Sequence, residues 1–577
     1  MAGETYDFIV VGAGASGAVV ASRLSENPKF KVLLLEAGGT PPPAAGIPLA
    51  CASLQRTEVD WGFEDSTPGE DSALGFAGKK MRLPRGKMLG GSTGLNYMAY
   101  VRGHPNDYDT WKAGGADDWG YEDVLPFFKK SEDFAPHPDV KVEAEVHGIE
   151  GPLSVTHRDP ELPSTGAFLR AAEQLDFEVG DYNGHAGRLT ASRGIVGPHQ
   201  FTIRNGQRCS AYSAFLEADM GARPNLTVAT GAHASRVLLD EGWKAVGVEW
   251  AADGAILSAT AAREVVLCAG AYMSPQLLLR SGVGPRLELE ALGLKCLVDS
   301  PHVGKHLKDH LYLPIPFECP SSTALGPLAC SLGLVPEAQG LFEEYMATGK
   351  GCPATSLYEA SLFFSTGTRP EKAHTHDAQI SWVASCYDPN FYTVCHGIVD
   401  FEEHFHVDKM FNLEKGTAIL LAQLIQPESE GEVTLSGTGA SDPPLIRHNY
   451  LTKPADVKAF VAICKQTIVI KDQMAKSEEM GEVLIPKNLA SRYGTDLDSD
   501  ELWEAWLRHY ACTLYHPTST CRIGDVVDPR CRVKGVRSLR VADASIMPDV
   551  VSGNTQAACV MIGEKVAAMI AEDNAVV

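Results

Sequence analysis

Two groups of residues have types and spacing suited to chemistry. The first is the loop Gly12-Ala13-Gly14-Ala15-Ser16-Gly17, with Glu36 nineteen residues after its last glycine. In such a loop the first glycine permits a tight turn, the second lets the backbone approach a pyrophosphate, and the third lets a helix pack on a strand. The helix N-terminus offers free N–H groups to phosphates, and the acid can accept hydrogen bonds from a ribose. The loop therefore predicts a dinucleotide, either NAD or FAD.

The second group surrounds His516, one of 18 histidines, which follows Cys512-Thr513-Leu514-Tyr515 and precedes Pro517. Proline restricts the residue before it to extended geometry, which helps to fix the histidine backbone. A histidine with a pKa near neutrality is a natural general base for an alcohol. The sequence therefore indicates His516 as a candidate base.

The elements around the glycine loop have the order of a βαβ unit. An apolar run at residues 6–11 predicts a strand, residues 18–26 predict a helix, and residues 31–35 predict a second strand. Near the other end, residues 538–543 indicate another buried strand and residues 554–571 a helix. Dinucleotide-type signals thus stand at both ends, which predicts one nucleotide domain assembled from separated segments.

Length and composition limit the classes of protein to consider. The chain has 577 residues, a formal net charge of −23 and 44% apolar residues, which predicts two large globular domains. The acidic balance argues against nucleic acid and anionic membrane surfaces as partners. No run approaches the ~18 apolar residues of a membrane-spanning helix, and no signal peptide is visible. We expect a soluble, cytoplasmic protein whose 14 cysteines, without a C-x-x-C pair, are reduced.

Further segments resemble a known family. Residues 86–96 read GKMLGGSTGLN and residues 270–284 contain GA, SP, LL and SGVG, like the two signature segments of the glucose–methanol–choline (GMC) oxidoreductases. Residues 516–522 and 543–548 follow in the order found in that family. The resemblance covers essentially the whole chain and implies an FAD enzyme.

The resemblance also implies which residues contact FAD. Some relatives carry a histidine that bonds FAD covalently where this chain has Leu95, so we expect non-covalent FAD. The segment at Asp543 is expected near the pyrophosphate and ribityl chain, although a simple helix cap is the alternative for this acid. The full predicted set is Gly12, Gly14, Ala15, Ser16, Gly17, Glu36, Ala37, Arg85, Gly90, Gly91, Ser92, Leu95, Asn96, Tyr97, Met98, Ala99, Ala234, Asp543, Ala544, Asn554, Thr555 and Gln556.

By the same resemblance His516 is the catalytic base and Asn554 its partner, with Tyr97 and Tyr515 beside the substrate. The implied reaction oxidises a primary alcohol, aromatic or aliphatic, to the aldehyde. His516 takes the hydroxyl proton, Asn554 donates a hydrogen bond to the oxygen, and hydride passes to flavin N5. The acceptor is O2 or a quinone. One relative, formate oxidase, has arginine at the position of Asn554, so a carboxylate substrate is disfavoured here.

The expected fold is α/β, α+β overall: a Rossmann-like FAD-binding domain and a substrate-binding domain whose antiparallel sheet is flanked by helices. We expect residues 1–155, 225–310 and 510–577 to form the FAD-binding domain. Residues 156–224 and 311–509 are then expected to form the substrate-binding domain.

Alternative functions remain open at this level. Some relatives are hydroxynitrile lyases, which keep FAD and the histidine without net redox, and nothing in the sequence excludes that. Others are light-driven fatty-acid decarboxylases with Cys-Arg-Pro where this chain has Ile425-Gln426-Pro427, which argues against that activity. No metal site is expected. The histidines 302, 306 and 310 lie in a segment that resembles a structural turn of the family, which usually has asparagine at position 306.

Overall fold

The computed structural model describes residues 3–158, 162–184, 193–320, 339–370, 375–386, 389, 391–411, 416–477 and 480–574. Its strands are β1 (Thr5–Val11), β2 (Val32–Leu35), β3 (Phe63–Glu64), β4 (Arg82–Leu83), β5 (Glu132–Phe134), β6 (Leu153–Val155), β7 (Glu178–Val179), β8 (Gly194–Pro198), β9 (Ile203–Arg204), β10 (Gln207–Arg208), β11 (Leu226–Ala229), β12 (His233–Leu239), β13 (Ala245–Ala252), β14 (Ala255–Leu267), β15 (Val283–Gly284), β16 (Val298–Asp299), β17 (Leu311–Cys319), β18 (Tyr358–Phe364), β19 (Ala378–Val383), β20 (Gly416–Leu424), β21 (Glu432–Leu435), β22 (Pro444–Arg447), β23 (Cys512–Thr513) and β24 (Leu539–Val541).

The α-helices include one very long helix, α11, and a long C-terminal helix, α14. They are α1 (Ala15–Ser25), α2 (Pro105–Ala113), α3 (Tyr121–Ser131), α4 (Pro163–Glu173), α5 (Ala211–Phe215), α6 (Gly270–Arg280), α7 (Arg286–Ala291), α8 (Gln339–Thr348), α9 (Phe401–His404), α10 (Val407–Met410), α11 (Pro454–Met474), α12 (Lys487–Tyr493), α13 (Asp500–Tyr510) and α14 (Thr555–Asp573).

The first large sheet carries the glycine loop. Its order is β11-β2-β1-β14-β13-β12, and β24 pairs with β14. The neighbours β11, β2, β1, β14 and β24 are parallel, and β13 is antiparallel to both β12 and β14. Strands β1, β2 and β24 are almost wholly buried, as expected of a parallel sheet covered on both faces. Helix α1 packs on β1, β2 and β11, and α14 packs in turn on α1.

The predicted elements at both chain ends are confirmed. The strand at residues 6–11, the helix after the glycine loop and the strand at 31–35 correspond to β1, α1 and β2. The strand and helix predicted near residues 540 and 560 correspond to β24 and α14. Because β24 pairs with β14, and β14 with β1, the last 40 residues close the sheet that the first 40 begin.

The second large sheet is antiparallel except at one edge. Its order is β23-β17-β20-β19-β18-β8-β7, and only β7 and β8 are parallel. Long helix α11 packs on β20 and β19, and α4 packs on β8 and β18. The sheet lies in its own apolar cluster, which includes Phe401 and Phe405. The observed mixed α/β architecture confirms the predicted fold class, whereas the two-domain division at the stated residues stays a proposal.

Cysteines and apolar segments add two observations. The described cysteines are free thiols, nearly all buried, and Cys330 lies outside the described residues. Within the described part of the chain, no helix is long and apolar enough to cross a membrane.

A buried charge network joins four segments between residues 102 and 181. Arg102 donates to Glu132 at 2.6 Å, and both side chains are at most 1% exposed. His147 contacts Glu132 at 3.2 Å and Asp181 at 2.7 Å. Burial alone would lower the pKa of His147, but its hydrogen bonds to Asp181 and Glu132 raise it. Arg102 and His147 therefore share two carboxylates in a buried site.

We expect Glu132→Gln to destabilise the fold strongly, since it leaves Arg102 buried without its charge partner. Removing one member of a buried pair costs about 3–5 kcal/mol. Urea unfolding followed by tryptophan fluorescence checks this as a lower midpoint. The control Glu145→Gln changes an exposed acid and should shift stability by less than about 0.5 kcal/mol. Equal midpoints for the two variants would contradict the account.

Candidate active site

The glycine loop joins β1 to α1 through a turn that excludes side chains. Gly12 has φ +98°, and a Cβ there would lie 2.5 Å from the Cys268 carbonyl oxygen. A Cβ on Gly17 would lie 1.9 Å from the Gly12 carbonyl oxygen. A Cβ on Gly14, by contrast, would meet no protein atom within 4 Å. Gly12 and Gly17 are thus required by packing, whereas Gly14 leaves open space above the N-terminus of α1.

Glu36 lies at the end of β2 beside this loop. Its carboxylate accepts from the backbone N–H of Ala13 and of Gly38, both at 2.9 Å. Burial raises the pKa of Glu36 to about 7, although these N–H groups act in the opposite direction. The acid is held rigidly at the rim of the cavity that the loop borders.

The second glycine loop meets the first. Residues Gly91–Gly94 form a 3-10 helix, and a Cβ on Gly91 would lie 2.8 Å from the Gly14 Cα. Asn96 follows, and its Nδ2 donates to Gln556 Oε1 at 2.5 Å while its Oδ1 accepts from Arg208 at 2.7 Å. The loop therefore connects the N-terminal turn to the start of α14.

Asp543 lies two residues after the strand β24, and its side chain is buried. It accepts from the Gly270 N–H at 2.8 Å, from the Ser274 hydroxyl at 2.5 Å and from the Ser545 N–H at 2.8 Å. It caps the 3-10 helix Ala544–Ile546, which is the alternative role considered for this acid. Burial raises its pKa, against these hydrogen bonds. Asp543 both lines the cavity and holds the start of α6 against β24.

His516 faces Asn554 across the far end of the cavity. Asn554 Nδ2 lies 3.3 Å from His516 Nε2, and Asn554 Oδ1 is buried with no partner among the described residues. The other ring nitrogen, His516 Nδ1, lies 3.0 Å from Nδ1 of His310. The His516 backbone N–H donates to Asp309 Oδ1 at 2.7 Å. The histidine is therefore fixed at both its backbone and its ring.

These contacts assign the proton on His516. An amide nitrogen only donates, so His516 Nε2 accepts from Asn554 and its proton resides on Nδ1, which donates to His310. Burial lowers the pKa of His516 well below its usual range, and His310 and Arg85 act in the same direction. Near neutral pH the ring is uncharged, with a lone pair on Nε2 directed at Asn554.

Aromatic side chains line the cavity beside His516. Tyr97 stacks on Tyr515, with centroids 6.1 Å apart and planes at 19°, and it lies 5.8 Å from Tyr358. Behind them the hydroxyl groups of Tyr515 and Tyr312 both contact His396 Nε2, at 3.2 Å and 2.7 Å. Burial lowers the pKa of His396 to about 3, so this cluster is uncharged.

One cavity contains nearly every predicted site residue. Gly17 and Gly90 do not line it, because Gly17 is packed under the turn and Gly90 lies behind the second loop. Sequence reasoning missed several lining residues, which come from elements distant in the chain. The missed residues include Gln55, Trp61, Phe63, His233, Tyr272, Met273, Leu277, Tyr358, Leu514 and Cys559.

Comparison with known proteins identifies the family. The GMC oxidoreductase N-terminal model matches residues 6–312, and the C-terminal model matches residues 427–563. The chain belongs to the GMC oxidoreductases. It is therefore an FAD-dependent oxidoreductase, as the sequence motifs predicted.

Relatives within the family align over almost the whole chain. An alcohol dehydrogenase (acceptor) of Pseudomonas putida is 34% identical over 98% of this chain and 95% of its own length. An oxygen-dependent choline dehydrogenase of Brucella anthropi is 34% identical over 97% of this chain and 94% of its own. Pyridoxine 4-oxidase from Mesorbium loti has a TM-score of 0.79 and 28% identity, with 98% of each chain covered. Formate oxidase has a TM-score of 0.84 and 25% identity over 100% of this chain and 99% of its own.

The cavity of this GMC oxidoreductase fits FAD on its own geometry. The open space at Gly14, beside the N-terminus of α1, suits a pyrophosphate. Glu36 lines the same cavity, where it could accept from a ribose, and so does Asn554, whose buried Oδ1 has no partner among the described residues.

We expect Gly14→Ala to weaken FAD binding at least ~10-fold while the apoprotein keeps its stability, because the new methyl group occupies space that no protein atom uses. FAD titration of the apoprotein, followed by flavin fluorescence, measures the affinity. Gly17→Ala is the contrasting variant, since its methyl group would collide with the Gly12 carbonyl and lower the apoprotein melting temperature. Unchanged FAD affinity in Gly14→Ala would contradict this assignment.

Proposed function

We propose that this enzyme oxidises a neutral primary alcohol, aromatic or aliphatic, to the aldehyde, with O2 or a quinone as electron acceptor. The observation that carries the proposal is the placement of an uncharged imidazole nitrogen 3.3 Å from an amide donor in the wall of the cofactor cavity. Such a pair has one proton acceptor and one hydrogen-bond donor, which is what an alcohol O–H needs as it becomes an alkoxide.

His516 acts as the base. Its Nε2 lone pair accepts the hydroxyl proton, and the positive charge that develops on the ring is shared through Nδ1–H with His310. His310 is uncharged at neutral pH, because burial lowers its pKa to about 3. It is therefore free to accept the hydrogen bond that keeps the His516 ring oriented.

Asn554 steadies the substrate oxygen. Its Nδ2 donates to His516 in the absence of substrate, and a bound hydroxyl oxygen between the two side chains would take over that hydrogen bond. When bound, FAD supplies a two-electron acceptor for the hydrogen on the carbinol carbon, so alcohol oxidation balances as one proton to His516 and one hydride to the cofactor.

The residues around the proposed cofactor are the predicted set that lines the cavity. FAD would be held by Gly12, Gly14, Ala15, Ser16, Glu36, Ala37, Arg85, Gly91, Ser92, Leu95, Asn96, Tyr97, Met98, Ala99 and Asn554. Ala234, Asp543, Ala544, Thr555 and Gln556 complete the site. Leu95 has no nucleophilic atom, which supports non-covalent binding.

The lining beside His516 supports a neutral substrate. Among the described residues, the only carboxylates in the cavity wall are Glu36 and Asp543, which lie in the part assigned to the dinucleotide. Among the described residues, a quaternary ammonium substrate would therefore find tyrosine rings but no carboxylate in the cavity wall beside His516. Arg85 donates to the carbonyl oxygens of Tyr515 and Pro84, which leaves it committed to backbone rather than to a carboxylate substrate.

The experiment is a panel of benzyl, allyl and linear primary alcohols together with choline, formate and a cyanohydrin. The products and the reduced acceptor are measured with O2 alone and with an added quinone. We expect one molecule of aldehyde for each molecule of O2 or quinone reduced by two electrons, and higher rates with neutral alcohols than with choline or formate. Release of cyanide and aldehyde from the cyanohydrin without acceptor reduction would instead identify a hydroxynitrile lyase.

We expect His516→Ala to keep bound FAD and to lose about 10²–10⁴ in kcat, the usual contribution of a positioned base. The FAD absorbance of the purified variant and its steady-state rate check both parts. His509→Ala is the control, since His509 lies in α13, does not line the cavity, and its ring contacts the Ala505 carbonyl at 2.7 Å. Wild-type turnover in His516→Ala would refute the role.

The pH profile tests the protonation of His516. Because burial lowers the pKa of this histidine, the base form persists on acidification through the ordinary histidine pKa of about 6.5. We expect kcat/KM to stay flat from about pH 8 to about pH 6 and to fall only below that range. A profile that rises with an apparent pKa at or above about 6.5, assigned to the free enzyme, would contradict the lowered pKa of His516.

A further inference from the structure

Three chain segments meet in a polar cluster outside the cofactor cavity. The turn at residues 301–304 is joined to the C-terminal segment by a hydrogen bond from the Gly304 N–H to the Thr520 carbonyl at 2.9 Å. Leu307 pairs with Gly431, and Lys308 pairs with Thr518, through antiparallel bridges. The side chains that these segments carry at this point are His302, His306, Glu430 and Asp525, none of which lines the cavity.

Two imidazoles and a carboxylate converge in this cluster. His302 Nδ1 lies 3.0 Å from His306 Nε2, and His306 Nε2 lies 3.9 Å from Asp525 Oδ2. One atom from each of the three residues lies within 4.8 Å of the other two. Tetrahedral ligands at Zn–N distances of about 2.0–2.1 Å are about 3.3 Å apart, so the observed separations bracket a metal-ligand triangle.

The other nitrogen of His306 is occupied in the way that metal-bound histidines require. His306 Nδ1 contacts Glu430 Oε2 at 2.8 Å. A carboxylate on the second ring nitrogen fixes the tautomer, so that Nε2 presents a lone pair, and it raises the basicity of the ligand. The direction of that lone pair is toward His302 and Asp525.

The backbone explains why a histidine can stand at position 306. His306 has φ +61°, a left-handed conformation in which asparagine and histidine are enriched among non-glycine residues. The related family loop that this segment resembles has asparagine there. The histidine keeps the turn that asparagine would make and adds an imidazole to it.

Three cationic side chains lie near the cluster, and two of them, Lys308 and Arg522, also contact its acids, Glu430 and Asp525. Lys305 binds Glu288 and Glu432, and Lys308 binds Asp549 at 2.9 Å. Arg522 contacts Asp525 through its Nε, so Asp525 is oriented but is also the weakest of the three ligands. All three candidate ligands are partly exposed, which leaves an entry path and room for a water molecule.

We propose that His302, His306 and Asp525 bind one divalent transition-metal ion, with Zn²⁺ as the ion best suited to two imidazoles and a carboxylate. Water completes the coordination, and Glu430 orients His306. The site fastens the segment that leads to His310 against the segment that follows His516. Its role is structural, because it lies outside the cofactor cavity.

Metal binding to the untagged, FAD-loaded enzyme tests the proposal. The protein is stripped with a chelator, equilibrated with ZnCl₂ and analysed by elemental mass spectrometry, and CoCl₂ is used as a spectroscopic probe. We expect one zinc per chain, a visible cobalt spectrum of a four-coordinate site and a higher melting temperature with zinc. Glu430→Gln should weaken zinc binding about 10–100-fold, the usual effect of removing an orienting partner.

His306→Asn, His302→Ala and Asp525→Asn provide the ligand-removal variants, and each is checked for FAD content so that a misfolded variant is recognised. We expect zinc stoichiometry and the zinc-induced melting shift to be lost in His306→Asn and kept in the control His509→Asn. The proposal is overturned if the wild type binds no more zinc than His306→Asn, or if zinc does not change the melting temperature of the wild type. In either case the two histidines only form a hydrogen bond with each other.

Discussion

The site depends on one buried carboxylate, Asp309. Its Oδ1 accepts from the backbone N–H of His516 at 2.7 Å, and its Oδ2 accepts from the hydroxyl groups of Thr513 and Tyr450 at 2.5 and 2.6 Å. These bonds fasten the segment before β17 to the segment after β23. They place His310 against the ring of the proposed base. Together with the pairing of β17 with β23 and of Lys308 with Thr518, this contact brings two pieces of chain 207 residues apart in sequence into one site.

Contacts between distant segments, such as those of Asp309, also explain which features the sequence could and could not predict. The βαβ unit, Glu36 and the strand at residues 539–541 are local patterns, so periodicity and glycine spacing were enough to find them. The pairing of His516 with Asn554 rested on a family resemblance and is matched by their 3.3 Å separation. The contact of His310 with His516 and the place of Tyr358 beside Tyr97 were missed, because they arise from strand pairing in the second sheet rather than from any nearby sequence signal.

The net charge of −23 carries little information about the chemistry. Within the described part of the chain, the cavity wall contains two carboxylates and one arginine, all held by hydrogen bonds to the protein. His516 at its reactive end and His310 behind it are uncharged near neutral pH, because burial lowers the pKa of both. A neutral base beside an amide donor has the right polarity for a hydroxyl group, and tyrosine rings supply the surrounding surface.

Anaerobic mixing with a primary alcohol tests the central claim most directly. The oxidised FAD absorbance is followed in a stopped-flow instrument with ordinary alcohol and with alcohol deuterated at the carbinol carbon. Proton transfer to His516 coupled to loss of the carbinol hydrogen predicts bleaching of the flavin that is several-fold slower with the deuterated substrate. A flavin that stays oxidised with every alcohol, while the enzyme still transforms one of them, would contradict the account.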